Sequence, residues 1–161
     1  MVKEILLLGN PRLYEISEPV KREELLEVKN IVGDLRDTLM AFRKKHGVGR
    51  AIAAPQIGVK KRIFYMNTDS PIVFINPVLI PVDEGKMEVL DDCMSFPNLL
   101  VKVKRFRQCS VKFYDMEWNK CELSFCDDLS ELVQHEYDHL DGILATMRAI
   151  DNKSFVIKTM D

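Results

Sequence analysis

The residues best placed to do chemistry lie together near the C-terminus, in Gln134-His135-Glu136-Tyr137-Asp138-His139. On an α-helix, residues four apart stand one above the other, so His135 and His139 can aim two imidazoles at one point. That point is a candidate metal site. Glu136 follows the first histidine directly, where a helix can hold a carboxylate beside the open position of a metal to take a proton from bound water. The string would also fit a surface helix with two solvated histidines. At about 100° per residue, however, Leu129, Leu132, Val133 and Leu140 form one apolar stripe that contains Glu136, with the histidines on its shoulder. An unpaired carboxylate buried there would be costly, and a nearby cation explains why it is tolerated.

A third donor comes from upstream. Asp91-Asp92-Cys93-Met94-Ser95-Phe96-Pro97 places a cysteine between acids and a turn. A lone cysteine is ordinarily just a buried thiol. Beside two histidines, one thiolate leaves a fourth position open, which is the arrangement of a catalytic rather than a structural centre. Cys121 and Cys126 are the rival pair, but residues five apart in a strand point to opposite faces. The four cysteines contain no CxxC pair and are expected as thiols in a reducing compartment.

The elements that must position these groups are legible in outline. The 161 residues, 47% hydrophobic, suffice for one well-buried core and are too few for two ordinary domains, so a single domain over 1–161 is expected. Asp128-Leu129-Ser130-Glu131 reads as the N-terminal cap of the histidine helix, and Gly142 as its stop. From Lys21 to His46, Leu25, Val28, Val32, Leu35, Leu39 and Phe42 recur at helical spacing, with a basic last turn, His46 as a capping residue and Gly47 as terminator. The small-residue run Gly47 to Gly58 suits either an exposed peptide-binding edge or tight packing of a strand on a helix. Short β segments follow at Ile63–Met66, Ile72–Pro77, Val78–Ile80, Val101–Val103 and Ser110–Tyr114. With no helix between them, antiparallel pairing is expected rather than a doubly wound parallel sheet.

A net charge of −2 gives no electrostatic reason to expect nucleic acid or an anionic membrane as partner. The apolar run Ile5–Leu8 is too short for a membrane span or a signal-peptide core, so the cytoplasm is expected.

Taken together the segments resemble the peptide deformylase family over nearly the whole chain. Its three ordered motifs have counterparts in Gly49 to Gln56, Asp91 to Ser95 and His135 to His139, and the opening Gly9-Asn10-Pro11-Arg12-Leu13 is also typical. The resemblance implies an α+β fold with antiparallel sheets packed around the HExDH helix and a long N-terminal helix. It implies hydrolysis of the N-formyl group from the starting methionine of new polypeptides, releasing formate. Cys93, His135 and His139 would hold one divalent metal, Fe2+ foremost, with Zn2+, Ni2+ or Co2+ as alternatives. Glu136 would be the general acid/base. The Gln56 amide and the Met94 backbone N–H would stabilise the oxyanion. Arg50, Ala51 and Ile52 would form the substrate edge, and Asp91 would pair with Arg105. Partners would be N-formylated nascent peptides and the ribosome near its exit tunnel.

The chain also departs from the family. Counting back from Gln56, Arg50 replaces a hydrophobic residue and Ala51 a glycine; alternatively Gly47-Val48-Gly49 is the glycine pair and two residues are inserted. Asp91 replaces a glutamate and Asp92 a glycine, whose backbone conformation can be unfavourable for an aspartate. These changes motivate two rivals: the same chemistry on another formylated amine, and a non-catalytic binder of metal and peptide. A metalloendopeptidase fits less well, because the third donor is an upstream cysteine. The C-terminal residues Asp151 to Asp161 carry no ribosome-docking helix.

Overall fold

The computed structural model of the protein describes residues 1–158. Two helices and eight strands carry it: α1 Leu25–His46, β1 Ala51–Ala53, β2 Ile63–Asn67, β3 Pro71–Pro81, β4 Lys86–Asp91, β5 Leu99–Phe106, β6 Gln108–Tyr114, β7 Lys120–Cys126, α2 Asp127–Leu140 and β8 Phe155–Ile157. Strands β1-β2-β3-β6-β7 form one sheet and β4-β5-β8 a second, and every pairing within them is antiparallel.

Helix α1 covers one face of the larger sheet, where Val28, Ile31, Leu35 and Leu39 meet Ile52, Ile63, Tyr65 and Ile75. Helix α2 covers the other, with Leu132, Val133 and Leu140 against Phe64, Met66, Phe74 and Val111. This double cover explains Ile63-Phe64-Tyr65-Met66, which is apolar throughout rather than alternating: all four are buried. The smaller sheet closes over α2 from its far side, so the helix is enclosed by both sheets and even its histidines are inside.

Several local expectations are corrected. Ile72–Pro77 and Val78–Ile80 are parts of one strand, β3, bent by a bulge between Ile75 and Val78. Asn76 takes the positive φ of 50° there, and its amide bonds both the N–H and the C=O of Val20. Helix α2 starts at Asp127 after Cys126 with no side-chain cap. Instead of capping, Ser130 donates to the Phe106 carbonyl at 2.8 Å, fastening α2 to β5. The acids Asp127 and Asp128 in the first turn still favour the helix dipole. Strand β8, which sequence pattern did not reveal, covers part of the C-terminal segment; Thr159, Met160 and Asp161 lie outside the described residues.

The C-terminal ends of both helices follow expectation. Gly47 closes α1 at φ 73° with its N–H on the Arg43 carbonyl. Gly142 follows α2 at φ 71°, where a Cβ would strike the Tyr14 carbonyl, so only glycine fits.

Candidate metal centre and active-site cleft

Three donors converge between α2 and the segment after β4. Cys93 Sγ, His135 Nε2 and His139 Nε2 lie within 4.8 Å of one another, and all three residues are buried. The nitrogens are 3.2 Å apart, and Sγ is 3.4 Å from His139 Nε2. A tetrahedral ion with ordinary zinc-like bond lengths spaces its ligand atoms at about 3.3 Å for N to N and about 3.6 Å for S to N. The donor set therefore fits a single divalent ion. Cys121 and Cys126 are not part of it.

The histidines are held from behind. Asp91 Oδ2 accepts from His135 Nδ1 at 3.0 Å and from an Arg105 terminal nitrogen at 2.6 Å. This orients the imidazole so that Nε2 faces the other donors. Arg105 also donates to Asp138 at 2.6 Å, and Asp138 receives two bonds from Arg148. The shortened acid at position 91 thus reaches Arg105. Burial raises the Asp91 pKa, but the charges of His135 and Arg105 outweigh it and hold the carboxyl well below its usual range. Burial disfavours the charged form of His135, yet Asp91 and the Cys93 sulfur hold its pKa well above normal. For His139 burial and the neighbouring His135 act together and pull the pKa well down. Two imidazoles in contact disfavour both being positively charged at once.

Glu136 is 3% exposed, and its Oε2 has no partner. Burial pushes its pKa up to about 7. Gln56 lies opposite: its Oε1 accepts from the Ala53 N–H at 2.9 Å, and its Nε2 donates to Ser95 Oγ at 3.1 Å and towards Cys93 Sγ at 3.5 Å. Met94 is buried beside Cys93. Together with Cys93, His135 and Glu136 these residues line a cleft of about 820 Å³ whose mouth is formed by α1, β1 and the loop before β1.

The chain belongs to the polypeptide deformylase family. The family model for polypeptide deformylase matches residues 2–155. A peptide deformylase of Pseudothermotoga lettingae is 38% identical over 158 residues, covering 98% of this chain and 89% of its own. Crystal structures of the peptide deformylases of Thermotoga maritima and Thermus thermophilus superpose with TM-scores of 0.84 and 0.82, at 27% and 32% identity. The first alignment covers 94% of this chain and 99% of the other, the second 91% and 85%. The α+β arrangement expected from the resemblance is the one observed.

Gly47 terminates α1 and β1 begins only at Ala51, so both glycines of Gly47-Val48-Gly49 lie in the connection before the strand. Asp92 does not have a positive φ; among the described non-glycine residues only Asn76, Trp118 and Asp127 do, so the glycine-to-aspartate change carries no such strain. Asp92 instead pairs with Lys158 at 3.4 Å on the rim.

Of the three residues expected at the substrate edge, Arg50 and Ala51 line the cleft and Ile52 does not. Ile52 is fully buried in the core under α1, because alternate strand residues face opposite sides. The Arg50 carbonyl accepts from the Asn67 N–H, so the backbone groups of Arg50 and Ile52 face β2, and those of Gly49, Ala51 and Ala53 face the free edge. Arg43 already occupies the Gly49 carbonyl at 2.9 Å, and Gln56 the Ala53 N–H. Ala51 is left with its main-chain pair open.

Sequence reasoning missed Ser95, Asp138, Arg148, Arg43 and Glu131. Partners far apart in the chain leave no local signal. Glu131 lies one turn before His135, half-buried in the cleft wall. Burial, then the nearby Asp91 carboxylate, pushes its pKa up to about 7.

Proposed function

We propose that the cleft hydrolyses the N-formyl group from the N-terminal methionine of newly made polypeptides, releasing formate and a free α-amine. The observation that carries this is the joint placement of the donor set Cys93, His135 and His139, an unpartnered Glu136, and the Gln56 amide in one cleft beside an open strand edge. Membership of the deformylase family supports the same reaction.

The residues divide the work as follows. The substrate's main chain adds to the free edge of β1 through the Ala51 N–H and C=O, which directs the formyl group to the inner end of the cleft. A divalent ion on Cys93, His135 and His139 would polarise the formyl oxygen and acidify the attacking water. Glu136 takes the proton from that water and returns it to the amide nitrogen as the C–N bond breaks. The Gln56 Nε2 and the Met94 N–H donate to the oxygen as it gains negative charge, and the bond from Ala53 fixes the Gln56 amide beforehand.

In the same proposal the ion is Fe2+, with Zn2+, Ni2+ and Co2+ able to replace it, since a thiolate and two imidazoles suit all of these. A single domain over residues 1–161 is supported by the enclosure of α2 between both sheets. The setting is the cytoplasm, close to ribosomes that deliver N-formylated nascent chains; four free thiols accord with a reducing compartment. No helix among the described residues is long and apolar enough to cross a membrane.

The test is formate release from a formyl-Met tripeptide by protein purified without oxygen, with its bound metal quantified in the same sample. Release that disappears on chelation supports the proposal. No release at one metal per chain would overturn it and favour another formylated amine, for which Arg50 in the cleft wall is the motivating observation.

A further inference from the structure

The two donors proposed for the oxyanion sit on short segments far apart in the chain: Gln56 on the single turn Ala54–Ile57, and Met94 between Cys93 and Ser95 in the connection from β4 to β5. Neither segment belongs to a sheet or a long helix that could fix its position alone. Side chains link them directly, since Gln56 Nε2 donates to Ser95 Oγ at 3.1 Å and towards Cys93 Sγ at 3.5 Å. An amide nitrogen carries only two hydrogens. Once the formyl oxygen claims one of them, one of these links is given up.

A second connection between the segments uses no reacting side chain. The Leu6 N–H donates to the Gln56 carbonyl and the Leu8 N–H to the Ser95 carbonyl, both at 2.8 Å. Residues two apart thus turn their donors to the same side. Leu7 between them is 59% exposed, and among the described residues its N–H has no backbone partner. The strap is fastened upstream to α1: the Lys3 N–H donates to the hydroxyl of the buried Thr38 at 2.9 Å, and Ile5 packs against the core beneath that helix.

We propose that Leu6 and Leu8 are positioning residues for the reaction: their N–H groups clamp the Gln56 and Met94 segments at a fixed spacing, so that both oxyanion donors stay aimed at one point while Gln56 exchanges partners. The proposal rests on the deformylase function above. Its physical ground is that hydrogen-bond donors stabilise a developing charge best when they need not move to meet it. A strap that holds two carbonyls outside the cleft keeps that geometry without occupying the site.

The experiment replaces Leu6, Leu7 or Leu8 of the full chain, one at a time, by the α-hydroxy acid of leucine, which turns the N–H into an ester oxygen and keeps the side chain. For each metal-loaded protein kcat and KM are measured on formyl-Met-Ala-Ser, with bound metal quantified. The ester at position 6 or 8 should lower kcat by about three- to tenfold, the worth of one hydrogen bond, with KM within about twofold and metal content unchanged. The ester at position 7 should leave both constants unchanged. In a Gln56→Ala background the ester at position 6 should no longer lower kcat, because the donor it positions is gone; a merely structural strap would cost the same in both backgrounds. Unchanged kcat with the esters at 6 and 8, an equal loss with the ester at 7, or an undiminished loss in Gln56→Ala overturns the positioning role. If an ester-containing chain does not fold, Thr38→Val, which removes the acceptor of the Lys3 N–H, carries the same comparison in the two backgrounds. No formate release by the wild type at full metal occupancy overturns the function on which the proposal rests.

Discussion

The inner and outer walls of the cleft use the same residue types and hold them in opposite ways. Behind His135, Asp91, Arg105 and Asp138 form an ionic chain with 2.6 Å contacts and side chains no more than 8% exposed. At the rim, Arg50–Asp128 and Asp92–Lys158 span 3.3 and 3.4 Å, with Asp128 75% and Asp92 50% exposed. Buried charges must be satisfied or the site fails, so the inner chain tolerates almost no change. Water screens the rim pairs, which contribute about 0–1 kcal/mol each, so that wall can vary in sequence without loss of fold. The departures at Arg50 and Asp92 lie on the tolerant side, and the substituted Asp91 keeps its charge.

The comparison can be broken at its most sensitive point first. Glu136→Ala should reduce formate release by about 10²–10⁴-fold with bound metal unchanged by elemental assay; normal turnover in that variant would remove Glu136 from the chemistry. Arg105→Met should cost about 3–5 kcal/mol in urea unfolding, because Asp91 and Asp138 lose a buried cation. A loss under 1 kcal/mol would mean that the inner chain is no more critical than the rim.

A third prediction concerns pH. In the metal-free protein Glu136 moves from 4.5 to about 7, so the native state binds the extra proton between those values. Stability should therefore fall as pH rises through that window, by about 3 kcal/mol in total. Glu136→Gln should match the wild type near pH 4 and exceed it by about that amount at pH 8 in parallel denaturant titrations. Equal pH profiles would contradict a desolvated carboxyl. The smallest effect belongs to the rim: Lys158→Ala should change stability by less than about 1 kcal/mol. A larger loss would place the Asp92 pair with the inner network.

How much of this was legible in the chain differs from element to element. Helix α1 and the histidine helix declare themselves through apolar spacing and their glycine stops, and the donor trio through chemistry and resemblance. The cap at Asp128 to Glu131 was misread because Ser130 has a stronger claim on it from the Phe106 carbonyl across the fold. The segments at 72–77 and 78–80 read as two strands, with Asn76-Pro77 closing the first, and only the Val20 backbone shows that the bend is accommodated. Ile52 was read as substrate edge from its motif, whereas strand alternation and α1 assign it to the core.

The sequence by itself determined the candidate reacting groups: two imidazoles one turn apart, a carboxyl between them in an apolar stripe, and one cysteine to complete the set. Those follow from local periodicity and from residue chemistry, which need no partner. Only the tertiary structure decided which carboxylates are held and which are left free. That depends on charges brought together across as many as 79 positions, and on burial between two sheets, which sets the energy of every unpaired group.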